Sequence, residues 1–153
     1  MRIKKLLSVA LITCATLSST MVANADTKDS SLPTEYISST KSTYSNYREK
    51  NNTSYIYIKN MCGLQLKVIA YYTNPSPDTP QTKHGYAVIP GNVQRFINNS
   101  VYEAYKSDNK QGLSKGKKCN CRLYIRADIS GSSGRLYGKW SPDSVGNYPV
   151  ANP

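Results

Sequence analysis

Residues 121–129, Cys-Arg-Leu-Tyr-Ile-Arg-Ala-Asp-Ile, carry the clearest structural pattern in the chain. The odd-numbered positions hold Cys, Leu, Ile, Ala and Ile, whereas the even-numbered positions hold Arg, Tyr, Arg and Asp. Successive side chains of a β-strand point to opposite faces, so this alternation predicts a strand with one core face and one polar face. Residues 135–140 alternate in the same way. The Ser/Gly-rich connection at 130–134 predicts that these two strands pair as a hairpin.

Shorter segments upstream have the same β-branched and aromatic character, which favours strands. The predicted strands lie at 55–59, 64–72, 86–89 and 93–97. Residues 101–106 fit either a strand or one helical turn, because Val101, Ala104 and Tyr105 have i, i+3, i+4 spacing. Six or seven short strands with polar turns predict an all-β fold, specifically a small antiparallel β-sandwich, with a small barrel as the alternative.

The first 25 residues predict a secretory signal peptide. Three cations precede an apolar stretch at 6–17 that is too short to span a bilayer, and Ala23-Asn24-Ala25 has the small-x-small cleavage pattern. An uncleaved anchor is the alternative. No second apolar run is long enough to cross a membrane, so no transmembrane segment is expected in the mature chain. We therefore expect a secreted, extracellular protein, with association with the cell surface left open.

The length of 153 residues corresponds to about one domain. Residues 26–43 are polar, Ser/Thr-rich and aperiodic, which predicts a flexible N-terminal arm. Residues 44–145 contain the predicted strands and form the expected β-sandwich domain. Residues 146–153 are expected to be an irregular C-terminal tail.

The composition combines a net charge of +11 with 13 Tyr, one Phe and one Trp. Loss of the leader would remove three cations and leave a mature chain of +8 without losing any tyrosine. Aliphatic residues are scarce, so some tyrosine rings must supply core area while others face outward.

Cations are concentrated between residues 106 and 126, where seven of them accompany Asp108 as the one acid. If the strands at 121–129 and 135–140 pair, their polar sides add further Arg, Lys and Tyr to the same surface. The predicted binding residues are Lys117, Lys118, Arg122, Tyr124, Arg126, Arg135, Tyr137 and Lys139. Interleaved cations and rings can bind an anionic polymer by charge neutralisation and stacking. The alternative is a solvated face that maintains solubility.

The expected partners are an anionic cell-wall polymer or lipid head groups. Sequence-specific nucleic-acid binding is not expected, because the chain has no recognised module. The sequence leaves the oligomeric state open.

Cys62, Cys119 and Cys121 are the cysteines of the mature chain, and in an exported protein they predict one disulfide. A bridge between Cys119 and Cys121 would close a strained ring, which favours Cys62 with either partner. A Cys₃His zinc site with His84 is disfavoured, because C-x-C is not the usual ligand spacing. We expect no metal and no cofactor. Catalytic motifs are absent and the nine acids are scattered singly, so the protein is not expected to be an enzyme.

Three motifs carry a resemblance to a known family: Tyr44-Ser45-Asn46-Tyr47-Arg48 with Asn52-Thr53, Glu103-Ala104-Tyr105, and Leu136-Tyr137-Gly138-Lys139-Trp140-Ser141-Pro142-Asp143. Through them residues 40–145 resemble an uncharacterised family of small secreted β-proteins of Gram-positive bacteria, a domain of unknown function. The resemblance implies export and a β fold. Ser45-Asn46-Tyr47 also gives a fainter resemblance to lactococcin 972-like bacteriocins, which are exported β-sandwich proteins that act on a cell-wall precursor.

The sequence thus predicts a secreted, non-enzymatic protein that binds the cell envelope or an extracellular polyanion through a basic, tyrosine-lined face. The alternative is a bacteriocin-like antibacterial protein acting on the cell wall. Genes for a multi-pass permease and an ATPase beside this one would favour that alternative.

Overall fold

The computed structural model of the chain describes residues 27–73 and 78–153, so the predicted leader at 1–25 lies outside the described residues. Twelve strands and one helix occur in the described ranges. In chain order they are β1 (Ser30–Ser31), β2 (Tyr36–Ser38), β3 (Thr43–Tyr44), β4 (Arg48–Glu49), β5 (Ile56–Asn60), β6 (Leu66–Thr73), β7 (Thr79–Pro80), β8 (Ala87–Ile89), β9 (Gln94–Ile97), α1 (Val101–Lys110), β10 (Asn120–Ala127), β11 (Ser133–Arg135) and β12 (Gly138–Ser141).

The strands form antiparallel sheets, and the predicted all-β sandwich is confirmed. One sheet has the order β3-β10-β6-β7, with β4 also pairing with β10 and β8 with β6. A second sheet has the order β1-β12-β5-β9, and β11 pairs with β2 in a two-stranded sheet. Segment 101–106, which fitted either a strand or a helical turn, lies in α1, where Val101 is buried.

The longest pairing joins β10 to β6 over eight residue pairs, from Asn120 opposite Thr73 to Ala127 opposite Leu66. Burial alternates strictly along both strands, as the sequence pattern at 121–129 predicts. The apolar sides of these strands face the apolar sides of β5 and β12, and all four contribute to one hydrophobic cluster. Ile58 and Trp140 are fully buried members from the second sheet.

Residues 26–43, for which the composition predicts a flexible arm, contain strands and core residues in their described part. The described residues include β1, β2 and the start of β3, and the Leu32 and Ile37 side chains belong to the core cluster. Ile37 is completely buried. Two isolated apolar residues in a Ser/Thr-rich stretch give no periodic signal, yet each fills a place in the core. The folded domain therefore begins well before residue 44.

The C-terminal tail is irregular but fixed in place. The Phe96 amide donates to the Pro149 carbonyl (3.0 Å), and the Ala151 amide donates to the Phe96 carbonyl (2.8 Å). The buried Asn152 side chain donates to the carbonyls of Lys83 and Asn98. These bonds attach residues 149–152 to the outer edge of β9.

A buried ion pair connects the ends of two sheets. Lys50, directly after β4, lies 3.1 Å (Nζ to Oδ1) from Asp143, which follows β12, and both side chains are fully buried. The Lys50 ammonium also donates to the carbonyls of Ser54 (2.7 Å) and Pro142 (2.6 Å). The Asn51 amide donates to the second carboxylate oxygen (2.9 Å). All three ammonium protons therefore have acceptors, which is the condition under which burial of a charge is tolerated.

Ile37→Ala tests whether the N-terminal segment is part of the core. Because the side chain is fully buried, we expect the free energy of unfolding to fall by about 2–5 kcal/mol. Ile129→Ala is the matched control, since Ile129 is 55% exposed and should cost at most about 0.5 kcal/mol. Denaturant unfolding of both variants is the measurement. Equal, small losses would mean that the segment is the flexible arm that its composition predicts.

Candidate functional site

The outer side of the six-stranded sheet carries a group of rings and cations that we call the tyrosine–arginine face. The register of β10 against β6 and β3 places Arg122 opposite Tyr71, Tyr124 between Ile69 and Tyr44, and Arg126 opposite Lys67. These positions alternate with the buried ones, so they point away from the core. The face consists of Tyr44, Tyr47, Lys67, Tyr71, Arg122, Tyr124 and Arg126.

Arg122 organises one end of this face. Its guanidinium carbon lies 4.0 Å from the ring centroid of Tyr44 and 4.7 Å from that of Tyr47. The same guanidinium forms an ion pair with Asp78. Tyr44 and Tyr47 remain 40% and 48% exposed. The guanidinium therefore fixes two rings through cation–π contact while their other surfaces stay accessible.

Three tyrosines pack beside Arg122. The Tyr44 ring contacts Tyr124 at 5.4 Å and Tyr71 at 6.1 Å between centroids, and both contacts are edge-to-face. Burial raises the pKa of Tyr71, and the neighbouring phenols of Tyr44 and Tyr124 raise it further, against an opposing effect of Arg122. The Tyr71 hydroxyl is therefore protonated at neutral pH and can donate a hydrogen bond.

Positive charge without an internal counter-ion lies beside the rings. Among the described residues, no carboxylate lies within ion-pair distance of Lys67, Arg126 or Lys117. Lys67 Nζ lies 3.8 Å from the ring centroid of Tyr86, and Arg126 donates to the Ser39 carbonyl. Lys117 is exposed in the segment that leads into β10, on the side of α1, where its carbonyl accepts a hydrogen bond from the Tyr105 hydroxyl (3.1 Å). An anionic ligand on this surface would meet charges that the fold has not neutralised.

Lys118 is also exposed, but Glu49 of β4 is its ion-pair partner (2.7 Å). The hydrogen bond from Lys118 to Glu49 raises the pKa of the ammonium. The pair is open to solvent and contributes little to stability. The pair holds the Lys118 side chain near the end of the face where β10 begins.

Comparison with protein-family models identifies the family of the chain. A family model described as a protein of unknown function (DUF2712) matches residues 18–144, most of the chain. The chain belongs to the DUF2712 family. No curated protein and no solved structure matches it. Membership in DUF2712 confirms the predicted resemblance to an uncharacterised family and assigns no activity.

In this DUF2712 protein the eight predicted binding residues do not form one surface. Lys117, Lys118, Arg122, Tyr124 and Arg126 lie on β10 and the segment before it, whereas Arg135, Tyr137 and Lys139 do not. The predicted hairpin is wrong, because Arg135 pairs with Tyr36 of β2 and Lys139 pairs with Lys59 of β5. Both edges of β10 are already occupied, one by β6 and the other by β3 and β4. The chain after residue 130 must therefore join other sheets.

Sequence reasoning missed Tyr44, Tyr47 and Tyr71 as parts of this site. Tyr71 and Lys67 were recognisable as polar-side residues of the second predicted strand, but the pairing of that strand with β10 was not. Tyr44 and Tyr47 lie close to Arg122 because β3 and β4, each of two residues, pair with β10. Such a short strand has no detectable period.

The predicted disulfide is absent among the described residues, where Cys62, Cys119 and Cys121 are free and buried. The Cys62 carbonyl accepts a hydrogen bond from the Asn92 amide (3.1 Å). Asn92 follows β8, which pairs with the Leu66 end of β6, so Cys62 lies near that end. Cys121 lies opposite Tyr72, six residues further along that strand. At roughly 3.3 Å per residue the two ends are about 20 Å apart, whereas a disulfide needs Cα atoms within about 7 Å.

Two further observations concern metal binding and membrane crossing by the described residues. No group of three or more His, Cys, Asp or Glu side chains in these ranges is arranged to hold a metal ion. Within the same ranges, no helix has the length and apolar character needed to cross a membrane.

Thiol titration tests the state of the cysteines. Burial raises the pKa of Cys121 to about 12 and raises that of Cys119 as well. A thiol reagent needs the thiolate, so Cys119 and Cys121 in the native chain lacking residues 1–25 should react only slightly at about pH 8, and burial of Cys62 limits access to its thiol. After unfolding without reductant, all three thiols should react. A single reactive thiol in the unfolded protein would mean that a disulfide is present.

Proposed function

We propose that this DUF2712 protein is an exported, non-enzymatic binding protein that associates with the cell envelope through the tyrosine–arginine face. The ligand class is an anionic polymer of the envelope, bearing phosphate or carboxylate groups. The observation that carries the proposal is the Arg122 guanidinium held over two half-exposed rings. Lys67 and Arg126 lie on the same face, and neither has an ion-pair partner among the described residues.

The physical argument combines two kinds of contact. Lys67 and Arg126 supply long-range attraction, which concentrates a polyanion at the surface. The exposed rings of Tyr44 and Tyr47 supply short-range contact with the C–H groups of a sugar or glycerol backbone. Arg122 contributes mainly by fixing these rings, because Asp78 already neutralises its charge.

Export and an extracellular location belong to the same proposal. They are supported by the signal-peptide pattern at 1–25 and by the resemblance to small secreted β-proteins of Gram-positive bacteria. A mass spectrum of the secreted protein that still includes residues 1–25 would contradict the export step.

Salt-dependent retention on purified Gram-positive cell walls tests the binding step. The variant Lys67→Gln/Arg126→Gln removes two cations from the face and should bind about tenfold more weakly at ~0.15 M NaCl. Arg135→Gln/Lys139→Gln removes the same charge from exposed positions on other sheets and is the matched control. It should bind like the unmodified protein.

Ring contact is tested separately with Tyr44→Ala, which should also weaken retention. Tyr137→Ala is its control, because that ring is 48% exposed on a different part of the surface. Equal losses in the two charge variants would show attraction by net charge alone. Equal losses in the two ring variants would show that Tyr44 has no special role. Either result would contradict the proposed face.

A further inference from the structure

A second candidate site lies away from the tyrosine–arginine face, at the edge where the C-terminal tail joins β9. A cleft of about 490 Å³ is bounded there by residues from β9, α1, the segment before β5 and the tail. Its volume falls within the range of roughly 300–1,000 Å³ that is usual for small-molecule sites. Binding sites of that size combine aromatic walls with a few polar groups free to orient a ligand.

The aromatic wall is built from three segments that are distant in sequence. The Phe96 ring is almost fully buried and stacks against Tyr55, with centroids 5.6 Å apart and ring planes at 21°. Tyr148 meets Phe96 edge-on at 5.3 Å. Phe96 therefore backs the Tyr55 ring, which is 40% exposed and lines the cleft.

Not all of the side-chain amides that line the cleft are used within the fold. Asn99 is buried, and its side chain donates to the Ile97 carbonyl (3.2 Å). In contrast, within the described ranges the side chains of Asn98 and Asn147 have no hydrogen-bond partner. Each offers two donors and an acceptor to whatever occupies the cleft.

The charges at the cleft are mixed. Lys83 and Glu103 both line it and are exposed, so a cation and an anion are present together. This balance does not favour a polyanion. An aromatic platform with amide donors and acceptors fits a sugar ring, whose C–H groups pack on the negative face of an aromatic ring and whose hydroxyls need both kinds of partner.

We propose that this cleft is a binding site for a neutral saccharide, with Tyr55 as the stacking platform and Asn98 and Asn147 as hydrogen-bonding groups. The site is independent of the tyrosine–arginine face. It would give the protein a second contact with a glycan, of a kind that does not depend on charge.

The test is a titration with N,N′-diacetylchitobiose and, separately, cellobiose, followed by NMR of the labelled protein. We expect at least one of the two disaccharides to shift the amide resonances of residues 96–99, 146–148 and 150. The affinity should change less than about twofold between ~50 and ~500 mM NaCl, because neutral contacts are not screened by salt.

Variants locate the site. Tyr55→Ala should weaken binding about tenfold, whereas Tyr55→Phe should retain it, because the ring and not the hydroxyl provides the platform. Asn147→Ala changes an exposed side chain and tests the site without risk to the fold. Tyr137→Ala, a ring outside the cleft, is the control and should have no effect.

Three results would overturn the proposal: no shift with either sugar, shifts that persist in both Tyr55→Ala and Asn147→Ala, or binding that salt abolishes. Failure here is distinguishable from failure of the envelope-binding proposal. The latter rests on salt-sensitive retention that Lys67→Gln/Arg126→Gln weakens, and those residues do not line the cleft.

Discussion

The buried ion pair between Lys50 and Asp143 is the interaction on which the arrangement of the sheets depends. Two charges removed from water are costly unless each finds a full set of partners. Here the ammonium has three acceptors, and the carboxylate receives the Asn51 amide as well as Lys50. The pair is therefore formed only when the segment after β4 and the segment after β12 are both in place. An arrangement that separated the two segments would leave a buried charge without its partner, so the pair disfavours such arrangements.

The ion pair also places one wall of the cleft. The Ser54 hydroxyl lies 3.4 Å from the Asp143 carboxylate and accepts a bond from the Ser144 amide (3.2 Å). Ser54 and Ser144 both line the cleft, and the tail continues from Ser144 to Tyr148. The tyrosine–arginine face depends instead on the β10–β6–β3 register. The two candidate sites thus rest on different parts of the same framework.

The sequence predicts the features of this fold that are local and periodic. The alternation at 121–129 identifies β10 and its polar side, and therefore three members of the tyrosine–arginine face. Pairing partners are not periodic, so a hairpin with the strand at 135–140 was a reasonable but wrong expectation. The partners are decided by competition for the edges of β10, which a pattern within one segment does not contain. The ring pair of Tyr55 and Phe96 likewise depends on the pairing of β5 with β9, whereas Ile37 stands in a polar stretch that has no periodic signal.

A double-mutant cycle on Lys50 and Asp143 tests the central claim most directly. Lys50→Met or Asp143→Asn alone leaves one buried charge without its partner, and each should lower the free energy of unfolding by about 3–5 kcal/mol. Lys50→Met/Asp143→Asn removes both charges and should cost clearly less than the sum of the single losses. Single losses below about 1 kcal/mol that simply add in the double variant would contradict the account. In that case the two side chains would not form a buried pair that joins the sheets.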